Sequence, residues 1–391
     1  MIYVGVDVSK DKHDAVILDK DGVVLVDNFT FSNNMDGFNL LLAKINSVTD
    51  NSENVKIGLE ATGHYSYNIL GFLTEKKYTT YVLNPLHTNL YAKGISLRKT
   101  KTDKVDASNI ALMIMSKQFL KSYSNISYHN ENLKSLTRYR FDLVAQRAKL
   151  KQSVSRLINV LFPELESLVS TLHLKAVYAL LSEYPSARHI ADTHLTKLTN
   201  LLLENSRGHF SKDFAIRLRD VAQSSIGSHM PAKSFELKHT ISRIQEIDGL
   251  VKETDKETKL VLKQTDSNIL SIPGISHTLG AMIVAEIGDM NRFDSPDKIL
   301  AYAGLSPSTY QSGKLESAYA KMEKRGSKYL RYALFNAAKF ICNWDSTFKA
   351  YLAKKRAEGK HYNVAISHVT KKLVRLIFAL HKSGQPYIPK S

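Results

Sequence analysis

The chain has 391 residues, 43% of them hydrophobic, and a formal net charge of +17. It can bury the cores of about two or three domains. Its charge points to a polyanionic partner, because counterions released from phosphate backbones drive binding by basic proteins. The single cysteine, Cys342, excludes an internal disulfide and fits a reducing compartment. Its expected role is that of a small core residue. No apolar run is long enough to span a bilayer, and the N-terminus enters a strand pattern without a signal-peptide layout. A cytoplasmic protein with no membrane partner is expected.

Residues 1 to about 118 alternate strand and helix signals. Ile2–Val8 reads as a buried strand, His13–Leu18 as a second, and Asp21-Gly22 as a hairpin turn into a third, Val23–Val26. A helix over Phe38–Ile45, a strand over Val55–Leu59, a helix over Ser66–Glu75 and a strand over Thr79–Leu83 follow. Three antiparallel strands and then alternating helix and strand describe a ribonuclease H-like α/β fold.

Residues 119–265 read as helical, with apolar stripes at Leu133, Leu136, Leu143, Val144, Leu150, Val154, Leu157, Ile158 and Leu161, ended by Pro163. A second stripe, Leu237, Ile241, Ile244, Ile247 and Val251, is close to a heptad seam. Ordinary core is the expected role of both stripes, with an intermolecular coiled coil as the lesser option. Residues 266–345 form a third unit that opens on Ile272-Pro273-Gly274-Ile275, and residues 346–391 a basic helical tail.

Four carboxylates stand where strands end or a helix begins. Asp7 lies in the first strand, Glu60 follows Val55–Leu59, and Asp103 and Asp106 open a helical stretch. Hard divalent cations require several carboxylate oxygens, which a chain supplies by bringing separate elements together. Asp103 and Asp106 are three apart and share a helix face. Two Mg²⁺ ions held there, roughly 4 Å apart, would suit phosphodiester chemistry. Asp11, Asp14, Asp19 and Asp21 are expected to serve turns and surface.

Basic residues Lys93, Arg98, Lys99, Lys101 and Lys104 flank the third acidic stretch and are placed to hold a phosphodiester. Arg138, Arg140, Arg147, Lys149, Lys151 and Arg156 line the long helix, where a solvated face and a phosphate-contacting face are both open. The turn at Gly274 resembles the hairpin of helix-hairpin-helix modules, whose backbone N–H groups meet phosphates. Phosphodiester exchange through a covalent intermediate needs a hydroxyl nucleophile. Local chemistry leaves Ser312, Ser306, Ser308, Thr309, Tyr310 and Ser317 as candidates.

Assembled in order, these segments resemble the DEDD transposase family of bacterial insertion sequences, the bridge-RNA-guided recombinases. Val4-Gly5-Val6-Asp7-Val8-Ser9-Lys10, Gly58-Leu59-Glu60-Ala61-Thr62-Gly63 and Lys101-Thr102-Asp103-Lys104-Val105-Asp106-Ala107 are similar to its three N-terminal motifs. Ile272–Ile275, Ala303-Gly304-Leu305-Ser306-Pro307, Gln311-Ser312-Gly313 and Lys324-Arg325-Gly326-Ser327-Lys328-Tyr329-Leu330-Arg331 are similar to its C-terminal domain.

The resemblance implies a RuvC-like (ribonuclease H-like) domain over 1–118, a helical coiled-coil region over 119–265 and a small helical transposase domain over 266–345. It implies that Asp7, Glu60, Asp103 and Asp106 hold Mg²⁺ (or Mn²⁺) and that Ser312 attacks DNA. It also implies double-stranded donor and target DNA, a structured non-coding guide RNA, a homo-oligomer from dimer to tetramer, and a nucleoid location when bound. Lys314, Lys324, Arg325 and Lys328, beside the C-terminal motifs, join Lys93, Arg98, Lys99, Lys101, Arg138, Arg147, Lys151 and Gly274 as expected nucleic-acid contacts. Gln311 departs from relatives that carry a small polar residue there, and the chain runs longer past the last motif than compact members do.

A metal-dependent Holliday-junction-type endonuclease using the same acids and water is the alternative. An actin-like sugar kinase is disfavoured, because Val8 and Ser9 follow Asp7 where such kinases carry a phosphate-approaching glycine. A non-catalytic RNA- or DNA-binding protein is the remaining class.

Overall fold

The computed structural model describes residues 1–60, 64–83, 88–91, 94, 103–116, 125–265, 267–306, 311–312, 315–316 and 322–389. Side chains at 103–104, 125–130, 311–312 and 315–316 lie outside that description. The chain divides into two compact units, Met1–His129 and Asn130–Ser391.

The first unit is a mixed α/β domain. Its strands are β1 (Ile2–Val8), β2 (Lys12–Leu18), β3 (Val24–Ser32), β4 (Val55–Glu60) and β5 (Thr79–Leu83), in the order β3-β2-β1-β4-β5. β1 runs antiparallel to β2 and parallel to β4, and so sits at the centre with β4 beside it. The helices are α1 (Met35–Asn46), α2 (Ser66–Glu75) and α3 (Asp103–Ser116). The third strand runs six residues beyond its expected end, through Asp27–Ser32. Its pairs Thr30 with Asp14 and Phe31 with His13 supply the ladder that its broken polar alternation hid. Asp19 is the expected turn residue, its Oδ1 accepting from the Asp21 and Val23 backbone N–H groups at 2.9 and 2.8 Å.

Alternate residues of each strand face opposite sides. Val4, Val6, Ala15, Ile17, Ile57 and Leu59 bury one face against Phe38, Leu41, Ile69 and Leu73 of α1 and α2. The other face takes α3 through Val16, Leu18, Ala107 and Ala111. Here α3 lies almost flush on the sheet. A Cβ on Gly5 would stand 2.0 Å from the Ala107 carbonyl oxygen, and one on Gly58 2.9 Å from Ile110 Cγ2.

The second unit is helical apart from one small hairpin among its described residues. Its long helices are α4 (Asn125–Leu161), which begins in the first unit, and α8 (Pro231–Lys263). They pack antiparallel within the one chain. Arg140 pairs with Asp255, Arg147 with Asp248, and Leu143 meets Ile247 and Val251. Between them lie α5 (Lys175–Glu183), α6 (Leu195–Ser206) and α7 (Lys212–Gln223). Their apolar faces share a core with Val154–Leu161 of α4 and Leu237, Ile241 and Ile244 of α8. The heptad-like stripe of α8 is therefore intramolecular core.

A second core joins α9 (His277–Ile287), α10 (Pro296–Tyr302), α11 (Lys328–Trp344), α12 (Ser346–Ala357) and α13 (Tyr362–Ser383). The basic helical stretch over 346–391 thus packs with 266–345: Phe348, Ile366, Val369, Leu373 and Val374 are buried beside Leu330, Leu334 and Ile341. Cys342 is buried there as the expected small core residue. No described helix is long and apolar enough to cross a membrane.

Candidate active site

In the first unit the register places the acids. β1 and β4 pair Gly5 with Gly58 and Val6 with Leu59, so Asp7 and Glu60 are the next neighbours at the C-terminal ends of adjacent parallel strands. Period-two alternation puts both on the face of Gly5 and Gly58, the face that α3 covers. α3 contacts Gly5 through Ala107 and Ala111, and its half-buried Leu112 packs against the same small core as Tyr3, further back on β1. The helix therefore runs against β1, and its start, Asp103 and Asp106, comes to the end of the sheet where Asp7 and Glu60 stand.

The backbone thus brings two strand ends, with Asp7 and Glu60, and the start of α3 to one end of the sheet. The donor set is all oxygen and all carboxylate, which fits a hard divalent ion. The Glu60 carboxylate is engaged from the side: its Oε2 accepts from Thr88 Oγ1 at 2.6 Å. Among the described residues no three His, Cys, Asp or Glu side chains are gathered closely enough to hold a metal ion. The side chain of Asp103 lies outside the described residues.

The row extends further than the sequence indicated. Asp14 is the direct cross-strand partner of Asp7, and Thr30 that of Asp14. Thr30, Asp14, Asp7 and Glu60 thus form one line across β3, β2, β1 and β4. Asp14 is only 6% exposed, a correction to its expected surface role. The neighbouring His13 points to the opposite face, edge-on to Phe31 and stacked on Phe38. Burial lowers the His13 pKa, and the Asn33 side chain and the Asp14 charge offset part of that fall.

In the second unit the motif segments lock onto one another. Gly304 and Gly326 both have positive φ, 66° and 106°. A Cβ on Gly304 would stand 2.2 Å from the Arg325 carbonyl oxygen, and one on Gly326 2.2 Å from that of Tyr302. Arg331 Nη1 donates to the Ala303 and Lys324 carbonyls at 2.9 and 3.3 Å. The Glu323 N–H donates to Ser306 O at 3.1 Å and the Lys324 N–H to Gly304 O at 3.2 Å. The chain between these points leaves and returns at one place. On that excursion β6 (Gln311–Ser312) pairs antiparallel with β7 (Leu315–Glu316), so Ser312 lies on a short hairpin.

The base of the excursion is held by Glu286, which sequence gave no reason to single out. It is 1% exposed and accepts from Arg138 Nε and Nη2 at 2.6 and 3.0 Å and from Ser327 Oγ at 2.6 Å. The hydrogen bonds to Glu286 raise the Arg138 pKa. Ser327 Oγ in turn caps α11, accepting from the Leu330 N–H at 3.1 Å.

The expected nucleic-acid contacts divide accordingly. Arg138 is committed to Glu286 and Arg147 to Asp248, so both guanidinium groups hold helices together. Lys151 is half-buried on α4, whereas Lys324, Arg325 and Lys328 are exposed around the start of α11. Gly274 has φ +81°, and a Cβ there would stand 2.9 Å from the Phe340 backbone. Its glycine is thus required by close packing on α11. Lys93, Arg98, Lys99, Lys101 and Lys314 lie outside the described residues, as do the rival hydroxyls Ser308, Thr309, Tyr310 and Ser317.

Two family models match the sequence. One described as "Transposase" covers residues 4–163, and one described as "Transposase IS116/IS110/IS902 family" covers residues 266–353. The chain is similar over nearly its whole length to three named proteins. It is 24% identical to a protein of insertion element IS116 from Streptomyces clavuligerus, over 99% of this chain and 96% of that one. It is 24% identical to the pilin gene-inverting protein of Moraxella bovis, over 98% and 97%. It is 25% identical to a protein of insertion element IS900 from Mycobacterium paratuberculosis, over 99% and 97%.

Proposed function

We propose, from the premise that this chain belongs to the IS116/IS110/IS902 family of transposases and is a DNA transposase/recombinase, that it joins strands through a covalent serine intermediate at a divalent-metal centre. The observation that carries this reading is the meeting of Asp7, Glu60 and the start of α3 at one end of the sheet. Central-strand acid, neighbouring-strand acid and helix-borne acids are the arrangement of a RuvC-like, ribonuclease H-like domain. Asp7, Glu60, Asp103 and Asp106 would hold Mg²⁺ or Mn²⁺. When bound, the ion supplies Lewis acidity at the scissile phosphate.

Ser312 supplies the hydroxyl. Its Oγ forms an ester to phosphorus as the bond from phosphorus to the departing strand oxygen breaks, and the serine proton ends on that oxygen. The ester conserves the bond for rejoining, when the hydroxyl of a new strand displaces Oγ. The segment between Ser306 and Glu323 carries Ser312, and Lys324, Arg325 and Lys328 flank its root as phosphate contacts. Sequence choice resides in a structured guide RNA from the element's own non-coding end, paired with donor and target DNA. A homo-oligomer, dimer to tetramer, brings acids and serine to a shared centre.

The decisive experiment incubates wild-type protein and Ser312→Ala with end-labelled donor and target DNA, transcribed flanking RNA and Mg²⁺. Wild type is expected to form a denaturant-stable protein–DNA adduct and joined product, and the variant neither. Equal cutting by both without an adduct would establish the hydrolytic junction endonuclease instead.

A further inference from the structure

We infer that Asp14 is a fifth acidic member of this centre, a positioning residue that strengthens cation binding at Asp7 without being one of its four ligands. The inference rests on the metal-dependent reading above. Three observations lead to it. Asp14 stands directly across from Asp7 in the β1–β2 ladder, on the face covered by α3, with Val16 and Leu18 of its own strand packed under that helix. It is 6% exposed, in a position where carboxylates are rarely left. Its carboxylate is anchored through one oxygen: Oδ1 accepts from Thr30 Oγ1 at 2.6 Å and from Asn28 Nδ2 at 3.4 Å, while neither bond uses Oδ2.

For folding alone this is a poor choice of side chain. Like charges directly opposite in an antiparallel ladder destabilise it. An asparagine would keep the Oδ1 acceptor for Thr30 and Asn28 and remove the repulsion. A cation beside Asp7 reverses that balance. The second negative charge then attracts the ion, and Oδ2 can accept a hydrogen bond from its hydration shell. Thr30 and Asn28 on β3 fix the carboxylate through Oδ1, so the charge is held beside Asp7.

The test titrates full-length wild type, Asp14→Asn and Asp7→Ala with Mg²⁺ and follows thermal unfolding, without DNA and independently of activity. Wild type is expected to be stabilised by Mg²⁺, and Asp7→Ala to lose the response. Asp14→Asn is expected to melt no lower than wild type in metal-free buffer. Its half-maximal Mg²⁺ concentration is expected to rise on the order of tenfold, the effect of one nearby charge in partly screened solvent. Thr30→Val, which keeps the charge, is expected to lose stability with a smaller change in the Mg²⁺ midpoint. An unchanged midpoint in Asp14→Asn, while Asp7→Ala abolishes the response, overturns the role of Asp14 alone. A chain with Asp14→Asn that fails to fold in metal-free buffer also overturns it, because the charge would then serve the fold. A wild-type chain with no Mg²⁺ response overturns the metal reading together with this one.

Discussion

The two units position their chemistry by opposite means. In the first, α3 reaches the sheet because side chains are missing: Gly5 and Gly58 leave room for the helix backbone, and register then brings Asp7, Glu60 and the start of α3 together. In the second, the base of the serine-bearing excursion is held by side chains that are present, with half-buried Arg138 and Ser327 gathered on the buried Glu286 carboxylate. A centre built on backbone geometry tolerates changes of side chain away from its close contacts. One built around a buried carboxylate depends on that side chain.

The largest effect that would sharpen this contrast is expected at Glu286. Glu286→Ala leaves Arg138 without its carboxylate and Ser327 without its acceptor, and should cost about 2–3 kcal/mol, the range for losing charge-assisted hydrogen bonds when the remaining guanidinium is partly solvated. Urea unfolding of the full chain followed by circular dichroism measures it. A loss below about 1 kcal/mol would mean that water replaces the carboxylate and that its role is not structural.

The next effect lies in the first unit. Gly5→Ala places a methyl 2.0 Å from the Ala107 carbonyl oxygen, and should cost about 1–3 kcal/mol through displacement of α3. It should also weaken Mg²⁺ binding, since Asp103 and Asp106 move with the helix. Gly71→Ala is the control: Gly71 lies inside α2 with nothing within 4 Å of an added Cβ, and alanine should stabilise by about 0.5–1 kcal/mol. Thermal unfolding of the pair reads the difference. Equal behaviour would remove the distinction between a flush helix and an ordinary one.

A smaller effect is expected with pH. The buried His13 has a lowered pKa, so the unfolded chain binds a proton there that the folded chain resists. Stability of the first unit should be level above the ordinary histidine value of 6.5 and fall as pH drops below it. His13→Gln should flatten that slope between pH 7 and pH 5 in a urea-midpoint series. The smallest effect is at Cys342, whose thiol is pushed up to about 11 by burial first and the Asp345 charge second. Iodoacetamide at pH 7.5 should leave it unmodified in native protein and label it only in urea.

Much of the first unit was legible because its elements follow local rules. The helix Ser66–Glu75 and the strand Thr79–Leu83 have the bounds their periodicity implies, and Asp19 closes its turn as expected. The neighbouring strand ends of Asp7 and Glu60 followed from pattern and fold class together. What was not legible depends on partners distant in sequence. Asp14 looked like one of several surface acids, and only its ladder positions opposite Asp7 and Thr30 distinguish it from Asp11. Glu286 sits in an apolar helix 148 residues from Arg138, and no local spacing links them. Arg138 and Arg147 read as candidates for phosphate because charge was visible in the sequence and Asp248 and Glu286 could not be matched to them.

The antiparallel pairing of α4 with α8 has a consequence for how the second unit can change. α4 is one helix of 37 residues, spanning about 55 Å. Phe141 at its middle packs against the core of the C-terminal helices, and Val154, Ile158 and Leu161 toward its C-terminal end belong to the core of the middle helices. The helix is a common axle for two separate hydrophobic bodies. Adding one residue between Leu143 and Val154 would turn one body about 100° against the other, whereas adding seven would restore the phase within about 20° and lengthen the axle by about 10 Å. Length variation along this axle should therefore come in whole heptads, matched by equal additions in α8.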